Sequence, residues 1–392
     1  MNLYTYKYRI KDSSSRRKLI ELASKVNHIW NYINELNIES YKDYKSGKKS
    51  NAFLSEYDFN NLLTGSSKKI KLHSDSIQET SRFFVSARNN TNKKFNLNFR
   101  SYKRNLGWIP FKGRSISLKD DEIIFMKKKL RFYKSRPIPS DAKIKTGSFN
   151  QNSKGFWFFS ITFTSESLDS KIPNHKNPNE IIGIDLGIKN LMTLSDGKTE
   201  SIKNYTKIYK NKLASAQRAG KKKLVKNIHI KIKNSRDNEL HQITTKLAKE
   251  YGNIAVGNVS SQNIIDKNIS SNMTSAVYNS GWFKVKSFLK YKAKKLGGFY
   301  EEVEEAYSSQ TCSVCSKRTG PKGQSGLNIR DWTCHLCQAK HDRDVNAAKN
   351  IAKRFVENNN LVIVTNDNDY SKDKNKILIE SKSYSVLDII RR

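Results

Sequence analysis

The four cysteines of the chain lie in one segment, arranged as two Cys-x-x-Cys pairs. The first pair is Cys312 and Cys315, the second is Cys334 and Cys337, and 18 residues separate them. This spacing can place four thiolates around one tetrahedral zinc ion, which fits the pattern better than two disulfide-type pairs do. Because four protein ligands leave no open position, we predict a structural Zn²⁺ site. Its thiols must stay reduced, which predicts a cytoplasmic protein.

Carboxylates form the second set of candidate residues. Asp185 lies inside the apolar stretch 181–186, where a charge is unfavourable unless a hydrogen bond, a cation or a metal ion compensates it. Asp342 and Asp344 begin a predicted helix, where either residue can serve as the N-cap. Carboxylates from separate elements are also ligands for Mg²⁺, and paired ions of this type hydrolyse phosphodiesters. Two interpretations stay open here, namely turn or capping residues and a Mg²⁺ site.

The composition indicates a polyanionic partner. The 392 residues include 73 Lys and Arg against 36 Asp and Glu, a formal net charge of +37. Such an excess opposes compaction unless counter-charge is bound, and it predicts steeply salt-dependent binding to nucleic acid. A membrane surface is the weaker alternative, because the charge is spread along the chain rather than over one amphipathic helix. No apolar run approaches the roughly 20 residues of a membrane-spanning helix, and no signal peptide is predicted.

The positive charge is densest between residues 201 and 236, which include twelve Lys or Arg and no Asp or Glu. A solvated helix face usually mixes both signs, so a region of one sign favours contact with nucleic acid over a purely solvated surface. The residues predicted to make this contact are Lys203, Lys207, Lys210, Arg218, Lys221, Lys222, Lys223, Lys226 and Arg236.

Hydrophobic patterns predict the elements that must position these residues. The alternating first residues predict a strand, and apolar residues at helical spacing predict helices near 16–40 and 75–95. Short apolar runs within 97–165, punctuated by Gly, Pro and Asp, predict a small β-barrel. Residues 180–356 mix strands and helices, which predicts an α/β sheet. The polar segment from 357 onward is predicted to be a weakly ordered tail.

Three C-terminal motifs resemble one known family. GIDLGIKNL around Asp185, the two Cys-x-x-Cys pairs, and HDRDVNAAKNI around Asp344 occur in the order found in the TnpB (OrfB) family. These are transposon-encoded proteins related to the type V CRISPR effectors. The resemblance implies an α/β fold with added β-barrel and helical regions: a RuvC-type nuclease of RNase H fold with an inserted zinc ribbon, and an N-terminal wedge β-barrel with an inserted helical recognition lobe. The expected bounds are 1–10 and 96–170 for the barrel, 11–95 for the helical region, 180–307 and 341–356 for the nuclease, 308–340 for the ribbon and 357–392 for the tail.

The same resemblance implies an RNA-guided DNA endonuclease. Its expected partners are a guide RNA derived from the transposon end and a double-stranded DNA target, in the nucleoid region of a prokaryotic cytoplasm. Its expected cofactors are two catalytic Mg²⁺ ions and a structural Zn²⁺ ion. A nuclease-dead RNA-guided binding protein and a CRISPR-associated type V effector are the alternatives. A single-strand transposase is disfavoured, because the expected His-hydrophobe-His motif with a partner Tyr is not seen in the sequence.

The RuvC sites of this family use an Asp, a Glu and a second Asp. Asp185 matches the first of these, and Asp344, rather than Asp342, matches the last. Gly257 stands where the Glu is expected, which puts cleavage in doubt. The family pattern therefore leaves the second carboxylate unassigned.

We hypothesise that Glu305 supplies this carboxylate and is the third catalytic Mg²⁺ ligand. It lies in the glutamate-rich segment 299–307, just before the first cysteine pair. Alternation along a strand would place Glu305 at the strand end, on the face shared with Val303. The alternatives are Glu301 or Glu304 in the same role, or a site that does not cleave.

Overall fold

The computed structural model describes residues 3–11, 14–92, 95–169, 175–260, 271–322, 325–359, 361–364 and 377–380. The chain divides into two units, Met1–Lys171 and Ile172–Arg392. Each unit has its own hydrophobic core, and the candidate site residues all lie in the second.

The first unit is built around an antiparallel sheet. In the described residues its seven strands follow the order β2-β6-β7-β1-β5-β4-β3. The two edge strands, β2 and β3, are joined by the single turn Gly113–Ser115, so the sheet curls back into a nearly closed barrel. A Cβ on Gly113 would lie 1.9 Å from the carbonyl oxygen of Ile144, so this close turn requires glycine. The strands are β1 (Tyr4–Ile10), β2 (Trp108–Lys112), β3 (Ile116–Lys119), β4 (Glu122–Phe125), β5 (Lys128–Tyr133), β6 (Lys143–Gln151) and β7 (Trp157–Thr164).

Aromatic residues fill the interior of this barrel. Along β7, Trp157, Phe159, Ile161 and Phe163 alternate with less buried neighbours, as a strand with one core face should. Helices inserted between β1 and β2 extend the same core through their apolar faces. These helices are α1 (Ser14–Lys45), α2 (Glu56–Leu62), α3 (Ser66–Ile70) and α4 (Ser74–Asn89), and α5 (Glu166–Asp169) follows β7.

The second unit is a mixed α/β sheet with helices on both faces. Its main path has the order β10-β9-β8-β11-β12, in which β8, β11 and β12 run parallel and β9 and β10 run antiparallel to their neighbours. The strands are β8 (Asn177–Leu186), β9 (Met192–Leu194), β10 (Thr199–Glu200), β11 (Tyr251–Gly257) and β12 (Phe299–Val303). The helices are α6 (Tyr205–Arg218), α7 (Lys222–Glu250), α8 (Ser271–Ser280), α9 (Trp282–Lys295) and α10 (Arg343–Asn358).

Alternation along the central strands assigns one face of the sheet to each helix layer. Ile182 and Ile184 of β8 pack in a core with residues of α7 and α9. Ile181 of β8 and Ala255 of β11 pack instead against α10. Asp185 has the same parity as Ile181, which places it on the α10 face. The fold therefore directs this aspartate toward the helix that carries the second one.

Two further strands follow α10 in the segment that was predicted to be a weakly ordered tail. β15 (Val362–Val364) and β16 (Ile377–Glu380) pair with each other, and β16 also pairs antiparallel with β8. The two apolar patches of this segment thus form strands that join the sheet. Residues 365–376 and 381–392 lie outside the described residues, so weak order there stays a prediction. In the described part of the chain, no helix combines the length and apolarity needed to cross a lipid bilayer.

Candidate metal centres

Three adjacent parallel strands end at one edge of the sheet. Leu186, Gly257 and Val303 are the last residues of β8, β11 and β12. The register pairs Ile184 with Val256 and Gly257 with Val303, so the strand ends lie side by side. The carboxyl edge of a parallel sheet is where functional groups from separate strands converge.

Asp185 occupies this edge and is electrostatically coupled to two other acids. Burial, followed by the carboxylates of Asp344 and Glu305, raises its pKa to about 7, against an opposing contribution from Arg343 and Arg330. The indole N–H of Trp282 donates to the Gly187 carbonyl at 3.2 Å, which fixes the chain directly after β8. Three carboxylates are therefore close enough to influence one another.

Glu305 lies beyond the end of its strand. The predicted strand was expected to extend to the glutamate, but β12 ends at Val303 and Glu305 lies in the irregular segment that follows. The reason is that β12 pairs only with β11, whose last paired residue is Gly257. The expectation that Glu305 ends a strand was thus wrong, although the residue still faces the edge that holds Asp185.

The Glu305 carboxylate occupies the space beside Gly257. A Cβ built on Gly257 would lie 2.6 Å from Oε2 of Glu305 and 3.4 Å from its Cβ. A side chain at 257 and the present position of Glu305 exclude each other, because real Cβ atoms do not approach a heavy atom so closely. Burial raises the pKa of Glu305, while the Val259 backbone N–H and the charges of Lys286 and Arg354 favour its ionised form.

The neighbouring glutamates are directed elsewhere. The carboxylate of Glu301 accepts hydrogen bonds from the amides of Asn358 at 3.0 Å and Asn359 at 2.7 Å. Glu304 is exposed to solvent. Of the glutamates in this segment, Glu305 is the one whose charge reaches Asp185.

Helix α10 brings Asp344 to the same edge. Asp342 is the N-cap, since its Oδ1 accepts from the Val345 backbone N–H at 2.8 Å, which leaves Asp344 in the first turn without a capping role. The helix lies directly on β8, because a Cβ on Gly183 would be 2.0 Å from the Ala348 carbonyl oxygen. Arg330 donates to both carboxylate oxygens of Asp344 at 2.6 Å.

A second contact of α10 involves the segment around Glu305. The Arg354 guanidinium donates through Nη1 to the Glu304 carbonyl oxygen and through Nη2 to the Ala306 carbonyl oxygen, the latter at 2.6 Å. These two carbonyl groups flank Glu305 in sequence. Neither Arg330 nor Arg354 was singled out from the sequence, because an arginine on a predicted helix or loop gives no signal of the backbone it will reach.

The cysteine cluster is formed as predicted. The four Sγ atoms lie within 4.8 Å of one another, the only group of this kind among the described His, Cys, Asp and Glu residues. The Cys312–Cys337 and Cys315–Cys334 sulfur pairs are 3.6 Å and 3.7 Å apart. Four sulfurs about 2.3 Å from a tetrahedral zinc ion would be separated by roughly 3.8 Å, so the donor set fits a structural Zn²⁺. The carboxylate oxygens of Asp185, Glu305 and Asp344 do not form a group as compact as the four sulfurs.

Polar side chains outside the cysteine pairs support this cluster. Nε2 of His341 lies 3.1 Å from the Cys312 sulfur, and the Thr319 hydroxyl donates to the Cys334 sulfur at 3.2 Å. Such donors stabilise thiolates and orient them. His341 lies in the hairpin formed by β13 (Asp331–Thr333) and β14 (Lys340–Asp342), and Thr319 lies four residues after Cys315.

Two asparagines of α10 join the cluster to the sheet. Asn346 accepts from the Ser313 backbone N–H at 2.8 Å and donates to the carbonyls of Ser308 and Thr311 at 3.2 Å and 2.7 Å. Asn350, one helical turn later, donates to the same two carbonyls at 2.7 Å and 2.6 Å. Buried polar residues four apart on an amphipathic helix are the sequence signal from which this anchor is recognisable.

The basic residues of the second unit lie on the outside of a helix pair. α6 and α7 pack through apolar residues that include Ala216, Ile228 and Ile232. Arg236 and Lys203 line a cavity of about 290 Å³, together with Lys189, and the buried Nε of Arg236 has no hydrogen-bond partner among the described residues. The other predicted contact residues are exposed: Lys207, Lys210, Arg218, Lys221, Lys222, Lys223 and Lys226.

Two family models match this second unit and the residues just before it. Residues 163–268 match OrfB_IS605, described as "Probable transposase", and residues 282–351 match the Cas12f1-like TNB domain. The first match includes Asp185 and Gly257, and the second includes Glu305, the cysteine cluster and Asp344.

Curated relatives carry consistent names. A Streptomyces pristinaespiralis protein named "Putative RNA-guided DNA endonuclease" is 31% identical over 230 residues, which cover 55% of this chain and 54% of that protein. The Escherichia coli protein InsQ, with the same designation, is 28% identical over 247 residues, or 57% of this chain and 59% of that protein. A TnpB-like protein of Acanthamoeba polyphaga mimivirus is 25% identical over 242 residues, or 56% and 44%. The chain thus spans little more than half the length of the first two relatives.

A solved structure shares the architecture. The Cas12f1 chain of a Cas12f1–sgRNA–target DNA complex superposes with a TM-score of 0.53 at 13% identity, covering 87% of this chain and 83% of that chain. At this identity the likeness shows the fold alone. The family models confirm the predicted resemblance: residues 163–268 are similar to the OrfB_IS605 family and residues 282–351 to the Cas12f1-like TNB domain.

Proposed function

We propose that the chain is an RNA-guided DNA endonuclease whose RuvC-type site uses Asp185, Glu305 and Asp344. The observation that carries this proposal is the position of Glu305 beside Gly257, where a side chain on β11 would otherwise stand. In a nuclease that had only lost its second carboxylate, we would not expect a different carboxylate to occupy the same space. The retention of Asp185 and Asp344 beside it supports the same conclusion.

The architecture around these acids supports the RuvC assignment. Two acids come from the edge at which β8, β11 and β12 end, and the third comes from a helix packed directly on β8. This gives three carboxylates on one side of a mixed sheet, reached from separate elements. Such an arrangement is what a metal-dependent phosphodiester hydrolase requires.

The acids fit hard divalent cations. Carboxylate oxygens are the ligands that Mg²⁺ prefers. The pKa of Asp185 is raised by burial and then by Asp344 and Glu305, and a bound cation would compensate the charge of these acids. Asp185, Glu305 and Asp344 would hold two Mg²⁺ ions, which when bound supply an activated water and stabilise the leaving oxygen. The chain's own contribution is to hold the three carboxylates on one side of the sheet and to keep Asp185 in a low-dielectric setting.

In this scheme Asp344 gives up its ion pair with Arg330 when it binds a metal ion. Both of its oxygens accept from Arg330, so a metal ion and the guanidinium would compete for the same carboxylate. Arg330 is half exposed, so it is able to turn toward solvent or toward a phosphate when the carboxylate binds metal.

Nucleic-acid partners account for the charge. A net charge of +37 and the exposed basic residues along α6 and the start of α7 provide a surface for a phosphate backbone. We assign the partners as a guide RNA derived from the transposon end and a double-stranded DNA target. The names of the two bacterial relatives, which describe RNA-guided DNA endonucleases, support this assignment. The four free cysteines, which suit structural zinc, support a reducing prokaryotic cytoplasm as the compartment.

The test is Mg²⁺-dependent cutting of a target library by the full chain, purified together with RNA transcribed from its flanking DNA. We expect wild type to cut, and Asp185→Asn, Glu305→Gln and Asp344→Asn to bind target without cutting. Glu304→Gln is the matched control, because Glu304 is the exposed neighbour of Glu305, and it should cut normally. Cutting by Glu305→Gln at the wild-type rate would remove Glu305 from the site.

A nuclease-dead binding protein is the second candidate, and Gly257 is the observation that favours it. It predicts RNA-dependent binding of the target by wild type with no cutting at any Mg²⁺ or Mn²⁺ concentration. It also predicts that Glu305→Gln leaves target affinity and Mn²⁺ binding unchanged. The same purified proteins therefore decide between the two candidates.

A further inference from the structure

We propose that Arg354 is a positioning residue of the nuclease site, because its guanidinium holds the segment after β12 so that Glu305 turns back over Gly257. This inference rests on the proposed function. It assigns a role to a residue of α10 whose described hydrogen bonds go to backbone carbonyls rather than to Asp185, Glu305 or Asp344. The contact it makes is with the backbone on both sides of Glu305.

The segment around Glu305 needs an anchor of its own. The sheet pairing of β12 ends where Val303 pairs with Gly257, so residues 304–306 receive no support from a neighbouring strand. The last bond before this segment runs from the Asn258 N–H to the Val303 carbonyl at 2.9 Å. The next runs from the Ser308 N–H to the Glu305 carbonyl at 3.0 Å. Between these two bonds, the carbonyls of Glu304 and Ala306 are bound by Arg354 alone among the described contacts.

Arginine is suited to this contact. The carbonyls of Glu304 and Ala306 flank Glu305 and both lie within hydrogen-bond reach of one guanidinium, so they point to the same side of the segment. A guanidinium carries its N–H donors in a rigid planar fork and can bind two acceptors at once. Lysine has a single nitrogen on a flexible stem and matches this pair less well. The two bonds together fix the backbone orientation at Glu305.

Helix α10 thereby controls two acids of the site at once. Asp344 lies in its first turn, and Arg354 lies ten residues later, about 15 Å along the helix axis. Between them, Ile351 packs beside Gly257, since its Cδ1 would lie 3.2 Å from a Cβ at that position. Because one rigid helix holds Asp344 and orients Glu305, the relative placement of the two carboxylates is set by helix geometry rather than by the flexible segment itself.

The neighbouring cation provides a matched control. Lys353 also lies on α10 and also donates to a backbone carbonyl, but that carbonyl belongs to Ser313 in the cysteine-rich segment. Replacing either side chain removes one positive charge from the same helix, together with the hydrogen bonds that the side chain donates to backbone carbonyls. Only the loss of Arg354 should release Glu305.

The experiment compares Arg354→Gln, Arg354→Lys and Lys353→Gln with wild type in the full chain. Mn²⁺ binding, followed by electron paramagnetic resonance, is measured alongside target cutting, with Asp185→Asn as the background for the acid site. We expect Arg354→Gln to lose about 10-fold in Mn²⁺ affinity and up to about 100-fold in cutting, as outer partners of metal sites do. Arg354→Lys should fall between Arg354→Gln and wild type, and Lys353→Gln should bind Mn²⁺ within about 2-fold of wild type.

Two results would overturn the proposal. One is wild-type Mn²⁺ affinity and cutting in Arg354→Gln. The other is an equal loss in Lys353→Gln, which would assign the effect to general weakening of α10. Failure of the proposed function looks different, because Glu305→Gln would then match wild type in both readouts. If Arg354→Gln does not fold, Arg354→Lys keeps the charge and much of the packing, and its Mn²⁺ affinity decides.

Discussion

The acid site depends on single residues whose environments differ. Asp185 is held by sheet and helix in a place where burial and two other carboxylates raise its pKa to about 7. Burial raises the pKa of Glu305, and the Val259 backbone N–H and two cations offset this effect only in part. The absence of a side chain at Gly257 is as much a part of the site as either acid, because it leaves room for Glu305.

The elevated pKa of Asp185 predicts how the metal-free protein responds to pH. The pKa of this carboxyl is about 7 in the folded protein against 3.8 in the unfolded chain, so the folded state binds a proton that the unfolded state releases, and stability falls as pH rises from about 4 through 7. Asp185→Asn removes this loss. In EDTA we expect the variant to melt above wild type at pH 8, with the difference narrowing toward pH 4. Melting curves across this range check it, and a pH-independent difference would contradict it.

Exchanging the two positions tests whether Glu305 replaces a strand-borne acid. Glu305→Ala should lower cutting by at least about 100-fold, the upper end for outer partners of a metal site. Gly257→Glu alone should also impair the site, because its Cβ would clash with Glu305. The double variant Gly257→Glu with Glu305→Ala should recover part of the lost rate, a non-additive result typical of residues that share one space.

The rate of the double variant is the decisive measurement. If it cuts no better than Glu305→Ala, the two positions do not serve the same carboxylate. Gly257→Ala combined with Glu305→Ala is the control, since it fills the same space without restoring charge.

At the scale of elements, α10 joins every part of the site. Its first turn carries Asp344, its middle packs on β8 and β11, and its polar face holds the cysteine-rich segment through Asn346 and Asn350. One helix therefore connects the cysteine cluster to the acids. Substitutions on its buried face should affect both.

Asn346→Ala is predicted to loosen the cysteine cluster. The side chain is buried and forms three hydrogen bonds to the backbone of the segment 308–313, so its loss leaves buried groups without partners. We expect a loss of about 1–3 kcal/mol in unfolding free energy. Release of zinc to a chromogenic chelator should be faster than in wild type. Glu357→Gln, an exposed change on the same helix, should leave both values unchanged.

At the scale of the whole molecule, charge dominates the behaviour of the chain. The formal net charge of +37 is spread through a chain of 392 residues, so self-repulsion is strong when no polyanion is bound. Salt screens this repulsion over a Debye length of about 10 Å at 0.1 M. The RNA-free protein and its complex should therefore respond to salt in opposite directions.

We expect the melting temperature of the RNA-free chain to rise between about 0.05 M and 0.5 M NaCl as repulsion is screened. Over the same range the affinity for RNA should fall steeply, because the release of counterions from the RNA contributes less free energy when the surrounding salt concentration is high. Differential scanning fluorimetry and anisotropy titrations measure the two trends. A salt-independent affinity would show that the basic surface does not contact phosphates.

The sequence predicted the residues that are set by local chemistry. The cysteine spacing predicted the cluster of four sulfurs. The two aspartate motifs pointed to Asp185 and Asp344, whose carboxylates interact electrostatically in the structure, as those of Asp185 and Glu305 do. The strand end at Val303 was missed, because pairing with β11 rather than alternation decides where β12 stops. The contacts of Arg330, Arg354 and His341 were missed as well. Each joins groups far apart in sequence, so only the folded chain shows them.

Asp342 belongs to two elements at once, as the last residue of β14 and the N-cap of α10. The hairpin that closes the cysteine cluster thus runs without a spacer into the helix that presents Asp344. A chelator used to stop cutting would therefore remove the two proposed metals at different rates. Mg²⁺ would be removed rapidly and could be restored by adding it back. Zn²⁺ would be removed slowly from the cysteine cluster, and its loss would displace the start of α10. Quenched samples should regain activity with Mg²⁺ after minutes but need Zn²⁺ as well after long storage in EDTA.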